Sequence, residues 1–532
     1  MKKRIIQLSL SIFAIGVMNI VHAQVDPAIV DWYNGKKGMK TDKAYKKLKK
    51  IKPETVIVAI IDSGIDIEHE DLVGKIWVNE KEIPRNGIDD DNNGYIDDVH
   101  GWNFLGNYKG EHQNHARLEK TRIYAKLKPK YDGIDAATVS ASDKKEYELY
   151  NKVRAEVEAE REEYGAYLPQ LEMLPLIMQQ VPEMVEKKIG IKEYTLKDLE
   201  KWKPADEQDE QIRSLAMAMK SGEFTGETIK AQKDQIESML NYHLNPDYDD
   251  RGLIGDDPNN FNDTKYGNGD VEGPDALHGT HVGGIVGSIR GNKKGGDGVA
   301  SNVKLMSLRA VPDGDENDKD VVLAVRYAVD NGAKVINMSF GKSYSPNALE
   351  VYEAFKYADS KGVLLVHAAG NDSKDIDKEP NYPTSMYEFQ SKKLDHFITI
   401  GASTRFATDK KQGYGDLAAD FSNYGQVGVD VFAPGYEIWN AVPQSSYQKL
   451  QGTSMAAPMV AGVAALLKSY FPKLTMLEIK TIMLSSAASF KGSMQRMPGE
   501  DKGIDFGTLS VTGGVVDVLA AVKACKMLEA TK

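Results

Sequence analysis

A set of short, uninterrupted apolar runs constrains this chain more than any other feature: TVIVAII (Thr55–Ile61), VKLMSL (Val303–Leu308), AKVINMS (Ala333–Ser339), GVLLVHAA (Gly362–Ala369) and FITIGA (Phe397–Ala402). A strand that is apolar at nearly every position has both faces covered, which is the condition of a parallel strand inside a sheet. Helical patterns such as Asp320–Asn331 and Asn347–Ser360 lie between the runs. This alternation predicts an α/β fold, a mostly parallel sheet with helices on both faces. Ligands of such sheets bind beyond the carboxyl ends of the strands, so the chemistry is expected there.

Those ends carry polar residues. Asp62 follows the first run in AIIDSGID, where a carboxylate needs a partner to be tolerated. The third run leads into MSFG, with Ser339, and the fourth into HAAGN, with Asn371. Taken singly, Asp62 reads as a turn cap and Asn371 as a left-handed turn residue. Two small-residue helices add to them. DALHGTHVGGIVGSI puts His278 at the mouth of one, and Gly279, Gly283 and Gly284 imply close backbone approach around it. LQGTSMAAPMVAGVAALL puts Ser454 at the N-terminus of the other, after Gly452. Pro458 reads as lying near the first turn, where a missing N–H costs least. Unpaired N–H groups and the positive end of the dipole sit beside a hydroxyl placed there. Such a serine is equipped to attack while a backbone N–H receives the oxyanion.

With Asp62, His278 and Ser454 in that order, the chain resembles the subtilase family of serine peptidases. DSGID, HGTHVGG and GTSMAAPMVAG resemble its Asp, His and Ser motifs, and AAGN resembles the segment that supplies its oxyanion asparagine. The likeness covers Thr55–Asp71 and about Asp270–Leu474. It implies Ser454 as nucleophile, His278 as base and then acid, Asp62 as the residue that orients His278, and Asn371 as an oxyanion donor. Ser339, Phe340 and Gly341 resemble the edge that pairs with an extended peptide. His281, the second histidine of the motif, is expected to be structural. The implied reaction is endopeptide hydrolysis of protein or peptide substrates through an acyl-enzyme, with no cofactor required for chemistry.

The chain departs from compact family members in the long stretch between Asp62 and His278. NGIDDDNNGYIDD sets Asp89, Asp91, Asn93 and Asp97 in a calcium-loop-like register around Gly94, with His100 where a bidentate Glu is usual. It reads either as a structural calcium loop or as a plain Asx/Gly turn. Asp71 matches a position where many family members ligate calcium, but the usual partner loop, GNKKGGDG, carries Lys293 and Lys294. NPDYDDRGLIGDD is a further acidic loop, with a cation or without one. Tyr147, Tyr150, Val153, Val157, Arg161 and Tyr164 recur at helical spacing, as do Ile229, Ile236, Met239, Leu240 and His243. They predict a helical hairpin packed on the core, the alternative being a binding module.

The expected organisation is a signal peptide (1–23), a lead-in segment (24–54), a catalytic domain (55–78 and 265–532), an acidic loop (79–109) and a charged helical insert with an acidic loop (110–264). A basic start, Met1-Lys2-Lys3-Arg4, an apolar stretch and Val21-His22-Ala23 predict cleavage after Ala23 rather than a membrane anchor. The product is expected to be soluble and exported, periplasmic or extracellular. No folded propeptide domain is expected between the predicted cleavage and the first strand, which are only about 30 residues apart. The net charge of −11 argues against nucleic acid as partner. The single cysteine, Cys525, excludes an internal disulfide and reads as core. The alternatives are an inactive peptide-binding relative and an exported calcium-binding adhesion protein.

Overall fold

The computed structural model describes residues 26–222, 224–407 and 414–531. The proposed signal segment lies outside them. Among the described residues two compact units emerge, one spanning 26–119 and 249–531, the other 120–248.

The larger unit is built on the expected sheet. Its strands in chain order are β1 (Val56–Asp62), β2 (Gly101–Asn103), β3 (Val303–Arg309), β4 (Val335–Met338), β5 (Leu364–Ala368), β6 (Phe397–Phe406), β7 (Asp416–Ala418) and β8 (Val431–Pro434). In space they run β8-β6-β5-β4-β1-β3-β2, with β7 paired to β6 and two short strands, Gly514–Val515 and Ala488–Ser489, beyond β8. Pairing along that central row is parallel throughout. The apolar runs are explained by what they touch. Side chains alternate across a strand, so Val58 and Ile60 join one buried cluster, while Ala59 and Ile61 join another. One cluster contains the helix Thr453–Tyr470, whose Ala457, Ala461, Ala464 and Ala465 let it lie close against the sheet. The other contains the helices Asp318–Asp330 and Ala348–Ser360.

The lead-in belongs to this core. Trp32, Tyr33, Met39 and Leu48 are buried with the sheet residues, and the helix Thr41–Leu48 carries the last of them. The Tyr33 hydroxyl donates to the Asp297 carbonyl at 2.9 Å, and the Trp32 indole to that of Glu437 at 3.1 Å. The acidic loop before His278 holds cations of the chain's own. Arg251 bridges Asp256 at 2.7 Å and Asp320 at 2.8 Å, and Lys319 meets Asp256 at 2.9 Å, with these side chains nearly or wholly buried. Removing one member of a buried set of this kind costs about 3–5 kcal/mol, because its partner is left charged and dry. Cys525 is buried, and burial pushes its thiol up to about 12.

The smaller unit is helical, with more pieces than a hairpin. Its main helix, Lys144–Ile189, buries Tyr150, Val153 and Val157 along the expected stripe and continues through Leu171, Val181 and Val185. The helices Leu196–Lys201, Glu207–Ser221 and Gly226–Ser238 follow. Val181, Val185, Tyr194, Leu199 and Ala216 form a core of their own. The apolar periodicity in the sequence covers only part of the main helix, because Pro169, Pro175 and Pro182 interrupt its later half. Among the described residues, no helix is long and apolar enough to cross a membrane.

Candidate active site

β5, β4 and β1 lie side by side and point the same way. Their carboxyl ends therefore present Asn371, Ser339–Gly341 and Asp62 in a row. His278 is the second residue of the helix Leu277–Gly287. Two glycines let that helix reach the loop after β1. A Cβ on Gly279 would stand 2.1 Å from the Gly64 carbonyl oxygen, and Gly64 itself has φ +118°. Across this contact, His278 Nδ1 lies 2.7 Å from Asp62 Oδ1, which also accepts the Ser63 N–H at 2.8 Å. An imidazole whose Nδ1–H faces a carboxylate leaves Nε2 free to take a proton. Burial works against the charged imidazole. The Asp62 carboxylate, by charge and by hydrogen bond, together with Asp275, outweighs burial and lifts the His278 pKa above the ordinary value. His281 lies wholly buried, with Nε2 between the carbonyls of Ile438 and Gln448 at 3.1 and 3.2 Å. Burial presses its pKa down to about 3, so it stays neutral and structural.

Ser454 is half-buried at the start of the helix Thr453–Tyr470. Its hydroxyl donates to the Ser339 carbonyl at 3.2 Å, and the Ser339 hydroxyl donates to the Ser454 carbonyl at 2.8 Å. Asn371 Oδ1 accepts both the N–H and the hydroxyl of Thr453, at 2.8 and 2.9 Å. Only a carbonyl oxygen satisfies two donors, so the amide NH₂ is turned the other way. Gly452, at φ +152°, leaves that space open. A Cβ there would sit 3.4 Å from Asn371 Nδ2 and 3.5 Å from the Ser454 nitrogen. Two N–H donors thus border one small gap at a helix N-terminus, which is the arrangement of an oxyanion hole.

Pro458 corrects the sequence reading. It lies beyond the first turn, four residues after Ser454, so the N–H it lacks is the one that would have met the Ser454 carbonyl. The cleft beside this group has a volume of about 310 Å³ and is lined by Asp62, His278, Ser339–Gly341 and Val311–Gly314.

Sequence reasoning missed the supports. Arg309, the last residue of β3, is buried and spends its guanidinium on neutral acceptors: the Ser63 carbonyl at 3.1 Å, Asn103 Oδ1 at 2.9 Å and the Gln113 carbonyl at 2.8 Å. Asn423 donates to the Ala369 carbonyl at 2.9 Å and accepts the N–H groups of Asp372 and Lys374, which fastens the loop around Asn371. Nothing in the spacing announces either residue. A buried-looking charge at a strand end was the only signal for Arg309.

The acidic residues group differently from the expected register. Glu82, Asp89 and Asp91 bring ligand atoms within 4.8 Å of one another, and Glu82 was not among the sequence candidates. Asp97 instead accepts the N–H groups of Asn86 and Gly87 at 3.0 and 2.9 Å. Asn93 Oδ1 accepts the Tyr95 N–H, and its amide donates to Asp98. Loop curvature, which spacing does not encode, brings Glu82 over the turn, where its carboxylate accepts the N–H groups of Asp90, Asp91 and Asp97. Asp71 is wholly buried, and Asn292 donates to its Oδ1 at 2.6 Å. Lys294 pairs with Glu70 instead.

The family model described as "Subtilase family" matches residues 54–508, and the chain belongs to that family. A thermophilic serine proteinase of Bacillus sp. (strain AK1) is 37% identical over 235 residues, 44% of this chain and 51% of that protein. Subtilisin DY of Bacillus licheniformis is 34% identical over 218 residues, 41% of this chain and 72% of that protein. The chain thus spans about half the length of the first of these relatives. A solved structure from a study of Pseudoalteromonas arctica proteases shares 29% identity over 50% of this chain and 80% of its own, at a TM-score of 0.38.

The His278–Asp62 contact makes a direct prediction. An NMR titration of the His278 ring should give a pKa above 6.5, and Asp62→Asn should lower it, because burial is then opposed only by the weaker influence of Asp275. An unchanged pKa in the variant would mean that Asp62 does not govern His278.

Proposed function

We propose that this chain is an exported serine endopeptidase that cleaves protein substrates through an acyl-enzyme on Ser454. The observation that supports it most is the gap at Gly452, bordered by Asn371 Nδ2 and the Ser454 nitrogen. On substrate binding, the Ser454 hydroxyl turns from the Ser339 carbonyl to His278 Nε2. It then attacks the peptide carbonyl carbon as its proton passes to His278. Asp62 stabilises the resulting imidazolium. The carbonyl oxygen, now negative, takes hydrogen bonds from Asn371 and Ser454 that are stronger than those of the ground state. His278 returns the proton to the leaving amine, and water reverses the sequence to free the acid. The backbone of Ser339–Gly341 holds the substrate as an added strand.

His278 must be neutral to act as base. Activity is therefore expected to rise with pH through a pKa above the ordinary histidine value. Ser454→Ala should lower turnover of a protein substrate by about 10⁶-fold, the known scale for losing the serine of such a triad. Asn371→Ala should lower kcat by about 10²–10³-fold with KM little changed. Wild-type turnover in the serine variant refutes the assignment, and an effect of the asparagine on KM alone refutes its oxyanion role.

We also propose that the loop binds calcium for stability, through Glu82, Asp89 and Asp91, with Asn93, Asp97 and Asp71 as the other sequence candidates. The chemistry needs no metal, so the ion acts on the folded state. A ligand at a hundredfold excess over its Kd adds about 2.7 kcal/mol. Thermal melting in millimolar calcium and in chelator should differ, and Glu82→Gln/Asp91→Asn should remove most of the difference. A shift that survives in the double variant places the ion elsewhere.

A further inference from the structure

Pro458 leaves a specific deficit. The Ser454 carbonyl cannot be met by residue 458, which has no N–H, and the proline ring crowds that same carbonyl. The deficit falls on the residue whose geometry matters most. The Ser339 hydroxyl stands in, donating to the Ser454 carbonyl at 2.8 Å. That hydroxyl is itself held by Asn337 Nδ2 at 2.9 Å. Asn337 is wholly buried on β4, and among the described residues its Oδ1 has no hydrogen-bond partner. A buried amide left half-satisfied is costly and needs a reason for being there.

We infer that Asn337 and the Ser339 hydroxyl are positioning residues for the nucleophile, replacing the helix bond that Pro458 removes. The relay acts through backbone geometry. A fixed Ser454 carbonyl fixes ψ of Ser454, and with it the direction in which the Cα–Cβ bond carries the hydroxyl. Ser339 also offers its own carbonyl to the Ser454 hydroxyl at 3.2 Å. One residue thus holds the nucleophile at two points and, in the proposed mechanism, pairs with the substrate backbone. Freedom lost before the reaction is not paid for in the transition state, so the effect belongs in kcat rather than in binding. The inference rests on the peptidase reading above.

The test uses Pro458→Ala, which restores an N–H to residue 458. Rates are measured for peptide hydrolysis and for fluorophosphonate labelling, each per site labelled at completion, so that misfolded enzyme does not count. Ser339→Ala should lower kcat and the labelling rate together by roughly tenfold to a hundredfold, with KM within about twofold. Asn337→Ala, which keeps the hydroxyl, should act in the same direction but less. In the Pro458→Ala background, the Ser339→Ala loss should shrink to about threefold or less, because residue 458 now supplies the bond. An equal loss in both backgrounds overturns the relay, as does a change confined to KM. A wild-type enzyme that takes no label overturns the peptidase reading itself, and the positioning role falls with it.

Discussion

Parallel pairing of β1 with β4, and of β4 with β5, is the constraint on which the rest depends. Neighbouring strands lie about 4.8 Å apart, and parallel strands end at the same edge of a sheet. Asp62, the Ser339 segment and Asn371 are therefore presented together without any long side chain having to reach. The register is set by burial on both faces. A one-residue slip of β1 would exchange Val58 and Ile60 with Ala59 and Ile61 between clusters of different size, and would move Asp62 away from Arg309.

Two helix N-termini complete the arrangement, and small residues are what bring them close. Gly279 and Gly64 meet backbone to backbone at His278, and Gly452 keeps the space between two N–H donors empty. The alanines of the Thr453–Tyr470 helix allow it to lie within the core, where a buried helix cannot shift to relieve local strain. Pro458 costs that helix a bond at Ser454, and Ser339, just beyond the end of β4, supplies another.

Much of the fold was legible because burial on both faces leaves a simple signature. The strand cores lie where the apolar runs fall, with ends displaced by one to a few residues; β4 is Val335–Met338 within the run Ala333–Ser339, and β6 continues past Ala402 to Phe406. Candidate site residues stood out where a polar residue follows such a run or precedes a stretch of glycine and alanine. Arg309 and Asn423 did not, since their partners are carbonyls of remote loops. Glu82 escaped because a loop's curvature, rather than its spacing, sets which carboxylates meet. Pro458 was misread for a related reason: its consequence lies on the residue four back, not at its own position. In the helical unit, prolines break the period that would have shown the full length of Lys144–Ile189.

In the proposed mechanism the strand ends and helix mouths converge to make one hydroxyl, that of Ser454, reactive. Mapping a fluorophosphonate adduct on the wild-type chain by peptide mass analysis, across a pH series, tests it most directly. A single adduct is expected, on Ser454, with a rate of formation that climbs as His278 loses its proton. An adduct on another serine, or none at any pH, would contradict it.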